Sequence, residues 1–65
     1  MTDIEKAYAR AFSGAEGMRV LAHLRSITVE RFLGPDATDA ALRALEGQRA
    51  LVKQIEGLIE RGKGN

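Results

Sequence analysis

Between residues 39 and 61 the apolar positions recur every three or four residues. With about 100° per residue and Ile55 as origin, Ala41, Ala44, Leu45, Gln48, Leu51, Val52, Ile55, Leu58 and Ile59 share a sector roughly 140° wide. That spacing predicts one long amphipathic helix with a single core-facing side. Arg43, Glu46, Arg49, Lys53, Glu56, Glu60 and Arg61 lie outside the sector. Thr38 is placed to cap the first turn with its hydroxyl, and Asp39 adds a negative charge where the helix dipole favours one. Arg61 sits in the last turn, and Gly62 reads as a left-handed stop followed by a disordered tail over 62–65. Leu42 is the one large apolar residue of this helix outside the sector, which makes it a candidate partner contact. Gln48 falls near the sector's centre, where an amide needs partners. Two readings of it stand: a core-edge amide bonded to the backbone of 28–36, or a polar residue fixing register between two copies of the helix. The second is permitted because positions 41, 45, 48, 52, 55 and 59 alternate by four and three.

Two shorter helices precede it. Over 3–12, Ile4, Ala7, Tyr8, Ala11 and Phe12 share a face, with Glu5, Lys6 and Arg10 opposite. Over 15–27, Gly17, Val20, Leu21, Leu24 and Ile27 form the stripe, Met18 flanks it, and Glu16, Arg19, His23 and Ser26 face away. Ser13 and Glu16 have the spacing of a capping box. Gly17 lies within its stripe, where a missing side chain lets another backbone come close. Helices this short do not hold in water alone, so both must dock. Residues 28–37 read as a helix end and loop, with Val29, Phe32 and Leu33 dropping onto the core and Gly34-Pro35-Asp36 making a turn. The predicted fold is all-α: a single small three-helix domain, two short N-terminal helices packed on one long C-terminal helix.

Composition narrows the function more than it names it. At 65 residues the chain is near the lower limit for a self-sufficient core, so self-association or a partner would add stability. It has no Cys, hence no disulfide framework and no thiolate chemistry. The opening residues lack the apolar segment of a secretory signal, and no apolar run is long enough for a membrane span. Ten basic and nine acidic residues give a net charge of +1, spread evenly along the chain, which argues against a non-specific polyanion binder. His23 is the only histidine, too little for a metal site, and the Ser and Asp residues sit at helix ends where caps belong. No catalytic set, cofactor or metal is therefore expected. Glu46 and Arg49 are spaced as a surface ion pair. Arg19 and Arg49 are alternatively donors to a partner's carboxylates or backbone carbonyls.

Two blocks carry a family resemblance. The first is Phe12-Ser13 followed by Gly17-Met-Arg-Val20-Leu21-Ala-His-Leu24. The second is Glu46-Gly47-Gln-Arg49-Ala-Leu51-Val52-Lys-Gln-Ile55. In order they resemble a family of short phage and prophage structural-domain proteins of the Bordetella-podophage type, from which this chain departs in being short between the blocks. The resemblance implies a gene of a virion-structure module and a helical assembly or protein-interaction module rather than an enzyme. Its implied partner is a virion or assembly protein, while the thin core and the seam spacing leave room for further copies of the chain. It implies a place in the bacterial host cytoplasm and in the particle. It also gives Gly17 and Gly47 a shared role, as the points where two helices cross at close range. The rival reading takes the first two helices as a helix-turn-helix for DNA, with Arg19, His23 and Ser26 toward the groove. Glu16 on that same face weighs against it.

Overall fold

A computed structural model describes residues 2–64. It consists of α1 (Asp3–Ala11), α2 (Ala15–Ser26) and α3 (Asp39–Gly62), and no strand occurs among the described residues. The all-α, three-helix expectation holds, and the predicted helix limits hold to within a residue. The last described residues are α3's C-cap, Lys63, and Gly64, and Asn65 of the expected tail lies outside the described residues.

Local chemistry sets the ends. Thr2 caps α1: its hydroxyl accepts from the Glu5 amide at 3.2 Å, and the Glu5 carboxylate accepts from the Thr2 amide at 2.8 Å. This reciprocal capping box satisfies two orphan donors at once. Thr38 caps α3 as its position predicts, accepting from the Ala41 amide at 3.1 Å. The capping box expected of Ser13 and Glu16 does not form. Ser13 donates backward to the Arg10 carbonyl at 2.9 Å, Gly14 is the N-cap of α2, and Glu16 pairs with Arg19. The α1–α2 corner is so tight that Ser13 is used up closing the first helix.

Gly62 is a second correction. It lies inside α3, and the left-handed residue is Gly64, with φ 90°. A Cβ on Gly62 would lie 2.0 Å from the Glu5 carbonyl oxygen and 2.8 Å from the Ala9 Cβ. The missing side chain is thus needed for the passage of α1 across α3, and not for a turn. Arg61 beside it donates to Glu5 at 2.7 Å.

The core is thin. Leu45, Val52 and Ile59 of α3 are its only buried apolar side chains among the described residues. They recur every seven residues along one face of α3. α1 crosses the C-terminal end of that helix. α2 runs antiparallel to it: Met18 and Leu21 share a cleft with Ile59, Glu60 and Lys63, Arg25 reaches Glu56, and Thr28 reaches Arg49. α2 stands off from α3, leaving a partly open cleft of about 420 Å³ that Phe12, Met18, Leu21, Glu56 and Ile59 help to line.

Each helix is turned from the face its apolar residues define. α1 directs Glu5, Tyr8, Ala9 and Phe12 inward, and Ile4, Ala7 and Ala11 stay exposed. Tyr8 and Phe12 stack with ring centres 6.5 Å apart. α2 turns Arg25 inward with Gly17, Leu21 and Leu24, leaving Met18, Val20 and Ile27 exposed. α3 turns toward Arg49 and Glu56, leaving Gln48 and Leu51 outside. The rotation is about 50–80° in each case, always toward a long charged side chain. The aliphatic stems of Glu and Arg cover apolar surface while their ends find partners.

The Glu5 carboxylate is held below the usual carboxylate range, first by the Thr2 amide and then by the Arg61 guanidinium. A depressed folded-state value means this group stabilises the fold above the unfolded glutamate pKa, about 4.3, and ceases to as pH falls through the lower folded value. A Glu5→Gln chain should therefore lose stability at neutral pH and show a flatter acid limb. Thermal midpoints measured from pH 7 down to pH 2.5 check this. An unchanged acid limb would remove Glu5 from the account.

Candidate interaction surface

Two things are built on this frame: a fastened connection and a set of open apolar rows. The connection depends on Arg49. Its Nε donates to the Thr28 carbonyl at 2.9 Å, one terminal nitrogen donates to the Arg31 carbonyl, and the other pairs with Glu46 at 2.6 Å. The planar guanidinium suits this, because its donors are fixed in a fork. Thr28 is buried, and its hydroxyl donates to the Leu24 carbonyl at 2.6 Å. Arg25 anchors the same end of α2, bonded to Glu56 on α3 and 3.8 Å from Glu30. The chain after α2 is thus tied to the middle of α3 by two arginines, one from each helix.

What this connection presents is unexpected. Val29 and Leu33 tuck in partway, as predicted, but Phe32 is 89% exposed. The reading of 28–37 as a helix end and loop places Phe32 inward beside Val29 and Leu33. The Arg49 bond to the Arg31 carbonyl turns the next side chain outward instead. A large aromatic in water on a fastened segment has the character of an anchor residue.

The predicted site residues fall into three groups. Gly17 is a point of close approach, but to α1: a Cβ there would lie 2.3 Å from the Ala11 carbonyl oxygen and 2.7 Å from the Phe12 Cα. Gly47 is not, since nothing lies within 4 Å of a Cβ placed on it. The two glycines do not meet, and the glycine at the α3 crossing is Gly62. Arg49 is committed within the chain, bonding carbonyls as anticipated but its own chain's, so it positions the connection. Arg19, Leu42 and Gln48 remain on the surface. Arg19 pairs with Glu16 at 3.1 Å, on an outer face of α2 that also carries Val20 and His23. Gln48 does not bond the connection as a core-edge amide would; its neighbour Arg49 does.

These features coincide with a family pattern. The family model described as Bbp19-like phage protein matches residues 8–61. The chain belongs to the Bbp19-like phage proteins. The matched span of this Bbp19-like chain contains the Phe12–Gly17 corner, the Arg25 and Arg49 anchors and nearly all of α3. Glu5 and Gly62, which form the crossing of α1 over α3, lie just outside it. No curated protein and no solved structure matches the chain. No helix of the described residues is long and apolar enough to cross a membrane.

The sequence does not single out Arg25, and it points Phe32, Glu5 and Gly62 to other roles: core, outer face and helix stop. A signal was present for two of them. Thr2-Asp-Ile-Glu5 has the spacing of a capping box, and a glycine following Arg61 fits a helix crossing as well as a helix stop. Phe32 and Arg25 carry no local mark, because both depend on contacts to residues about twenty or more positions away.

Proposed function

We propose that this phage protein is a non-enzymatic helical module that acts by protein contact in building the virion. The observation that carries this reading is the amount of apolar side chain left in water by a chain with so small a core. Ile4, Met18, Val20, Ile27, Phe32, Leu42 and Leu51 are all exposed, so every helix and the connection contribute. Exposed large apolar side chains, aromatic ones above all, are what a protein partner buries at the core of an interface. Leu42 and Phe32 suit contact with a virion or assembly protein, and Arg19 and Gln48 supply polar groups at the margins. The setting is the host cytoplasm during particle assembly, and then the particle.

The test is genetic and direct. Phage deleted for this gene should yield fewer infectious particles, with assembly stalled at a defined intermediate. Mass spectrometry of purified intermediates and particles should find the chain in one of them. Normal particle yield, with the chain absent from every assembly fraction, would overturn the proposal. Phe32→Ser should reduce recovery of the chain with particles at least tenfold, while its thermal midpoint stays within a few degrees, since the side chain touches little within the fold.

A further inference from the structure

α3 carries two rows of three-and-four spacing; the first is used inside the chain along its whole length, and the second only at its C-terminal end, where α1 crosses. Leu45, Arg49, Val52, Glu56 and Ile59 make the inner row, apolar except where Arg49 and Glu56 find their partners. The second row is Ala41, Ala44, Gln48, Leu51, Ile55 and Leu58. Its steps are three, four, three, four, three, and no member is charged. Ala41, Ala44, Gln48 and Leu51 are exposed, and Ile55 and Leu58 are half-buried near the α1 crossing. Uncharged residues repeating at this spacing form the seam of a left-handed helix pair, with a single polar member setting register. Gly47 lies about 80° from Ile55 around the helix, on the flank of this row away from Arg49. Empty space there would let a second helix approach closely.

The dimensions of the chain indicate what covers the row. The accessible surface is 4788 Å². A folded monomer of 7.1 kDa is expected to expose about 4,100 Å². The excess of about 700 Å² is close to the roughly 800 Å² that each partner buries in a standard interface. The radius of gyration is 13.9 Å, with extents of 42 × 22 × 15 Å, against about 11 Å for a compact domain of this length. The chain has the proportions of half an assembly. An uncharged row also suits a partner with the same row, because a two-fold axis brings no like charges of the seam together.

We infer that α3 pairs with α3 of a second copy of this chain along Ala41, Ala44, Gln48, Leu51, Ile55 and Leu58. This names one partner for the interaction module proposed above and rests on that reading only for its biological setting. Analytical ultracentrifugation of the purified full chain from about 1 to 200 μM decides it. The expected result is a dimer, with twice the 7.1 kDa chain mass, dissociating in the micromolar range. Leu51→Glu should raise the dissociation constant at least tenfold with helical circular dichroism retained. Ala44→Glu should act in the same way from a separate turn. Leu42→Glu, about 140° away around the helix, should leave the dimer intact. A monomer at 200 μM with full helical signal would overturn the inference, as would a dimer indifferent to both Leu51→Glu and Ala44→Glu. A monomeric chain still recovered in assembly fractions would sink the dimer and spare the function. A dimer absent from every such fraction would do the reverse.

Discussion

Replacing Gly62 with alanine is expected to destabilise the protein, although alanine is the better helix former. In a helix interior that exchange gains about 1 kcal/mol, and less at the last helical residue, where Gly62 stands. Here the new methyl would lie 2.0 Å from the Glu5 carbonyl oxygen and 2.7 Å from its carbon. Both are backbone atoms, so no flexible side chain can yield. α1 must lift from α3, loosening the Glu5–Arg61 pair and the cover over Ile59. Overpacking of this kind costs about 1–3 kcal/mol, and more when backbone must move. A net loss of about 2 kcal/mol lowers the thermal midpoint of so small a domain by roughly 8–16 °C. Gly47→Ala supplies the contrast. Nothing lies within 4 Å of its new methyl, so it should gain about 1 kcal/mol in dilute solution, where pairing of chains does not enter. Calorimetry of the two variants beside the parent checks both signs. A neutral Gly62→Ala would mean that α1 does not cross α3 there.

Arg49→Met should cost a similar amount by a different route. The guanidinium serves two backbone carbonyls across the gap between α3 and the connection, at Thr28 and Arg31. Hydrogen bonds from a charged group are worth about 1.5–3 kcal/mol, and removing the donor leaves the Thr28 carbonyl with only the 3.3 Å bond from the Arg31 amide. A loss of about 2 kcal/mol follows, visible as a lower urea midpoint. Arg49→Lys keeps the charge but not the fork, and should recover less than half. The damage should also be local. Amides of Glu30 and Arg31, which bond the Arg25 and Thr28 carbonyls, should exchange faster, while those of α1 keep their protection. Equal loss of protection across all three helices would show that Arg49 holds the whole fold rather than the connection.

The helices were legible because their signals are local. Thr38, the three-and-four apolar spacing of α3, and the Ser13-Gly14 break lie within a turn of what they specify. Which side of each helix faces inward was not legible. Apolar periodicity counts Glu5, Arg25, Arg49 and Glu56 as solvent-facing, yet all four reach partners on another element. Three of the partner groups are backbone or carboxylate oxygens more than fifteen residues away, which no window along the chain contains. Gln48 and Arg49 show the consequence. The predicted bond to the connection exists, but one residue further along and with a fork of donors in place of an amide. The same rotation moved Leu51 from the expected core to water and created the open row on α3. Gly17 and Gly47 look alike in sequence, each following a glutamate, but only Gly17 has backbone against it. Membership of the phage family was legible from the two blocks, both of which lie within the matched residues 8–61.

α3 has an inner row and an outer row, and one pair of identical substitutions separates them. Leu45 is 4% exposed and Leu51 is 57% exposed, on the same helix. Urea unfolding of Leu45→Ala and Leu51→Ala, each at about 1 μM and about 100 μM chain, compares the same chemical deletion in the two rows. Leu45→Ala should lose about 2–5 kcal/mol at both concentrations. Leu51→Ala should lose less than about 0.5 kcal/mol when dilute and should abolish most of the stability that the parent gains on concentration. Equal losses at 1 μM would show that Leu51 belongs to the monomer's core and that the outer row does not exist.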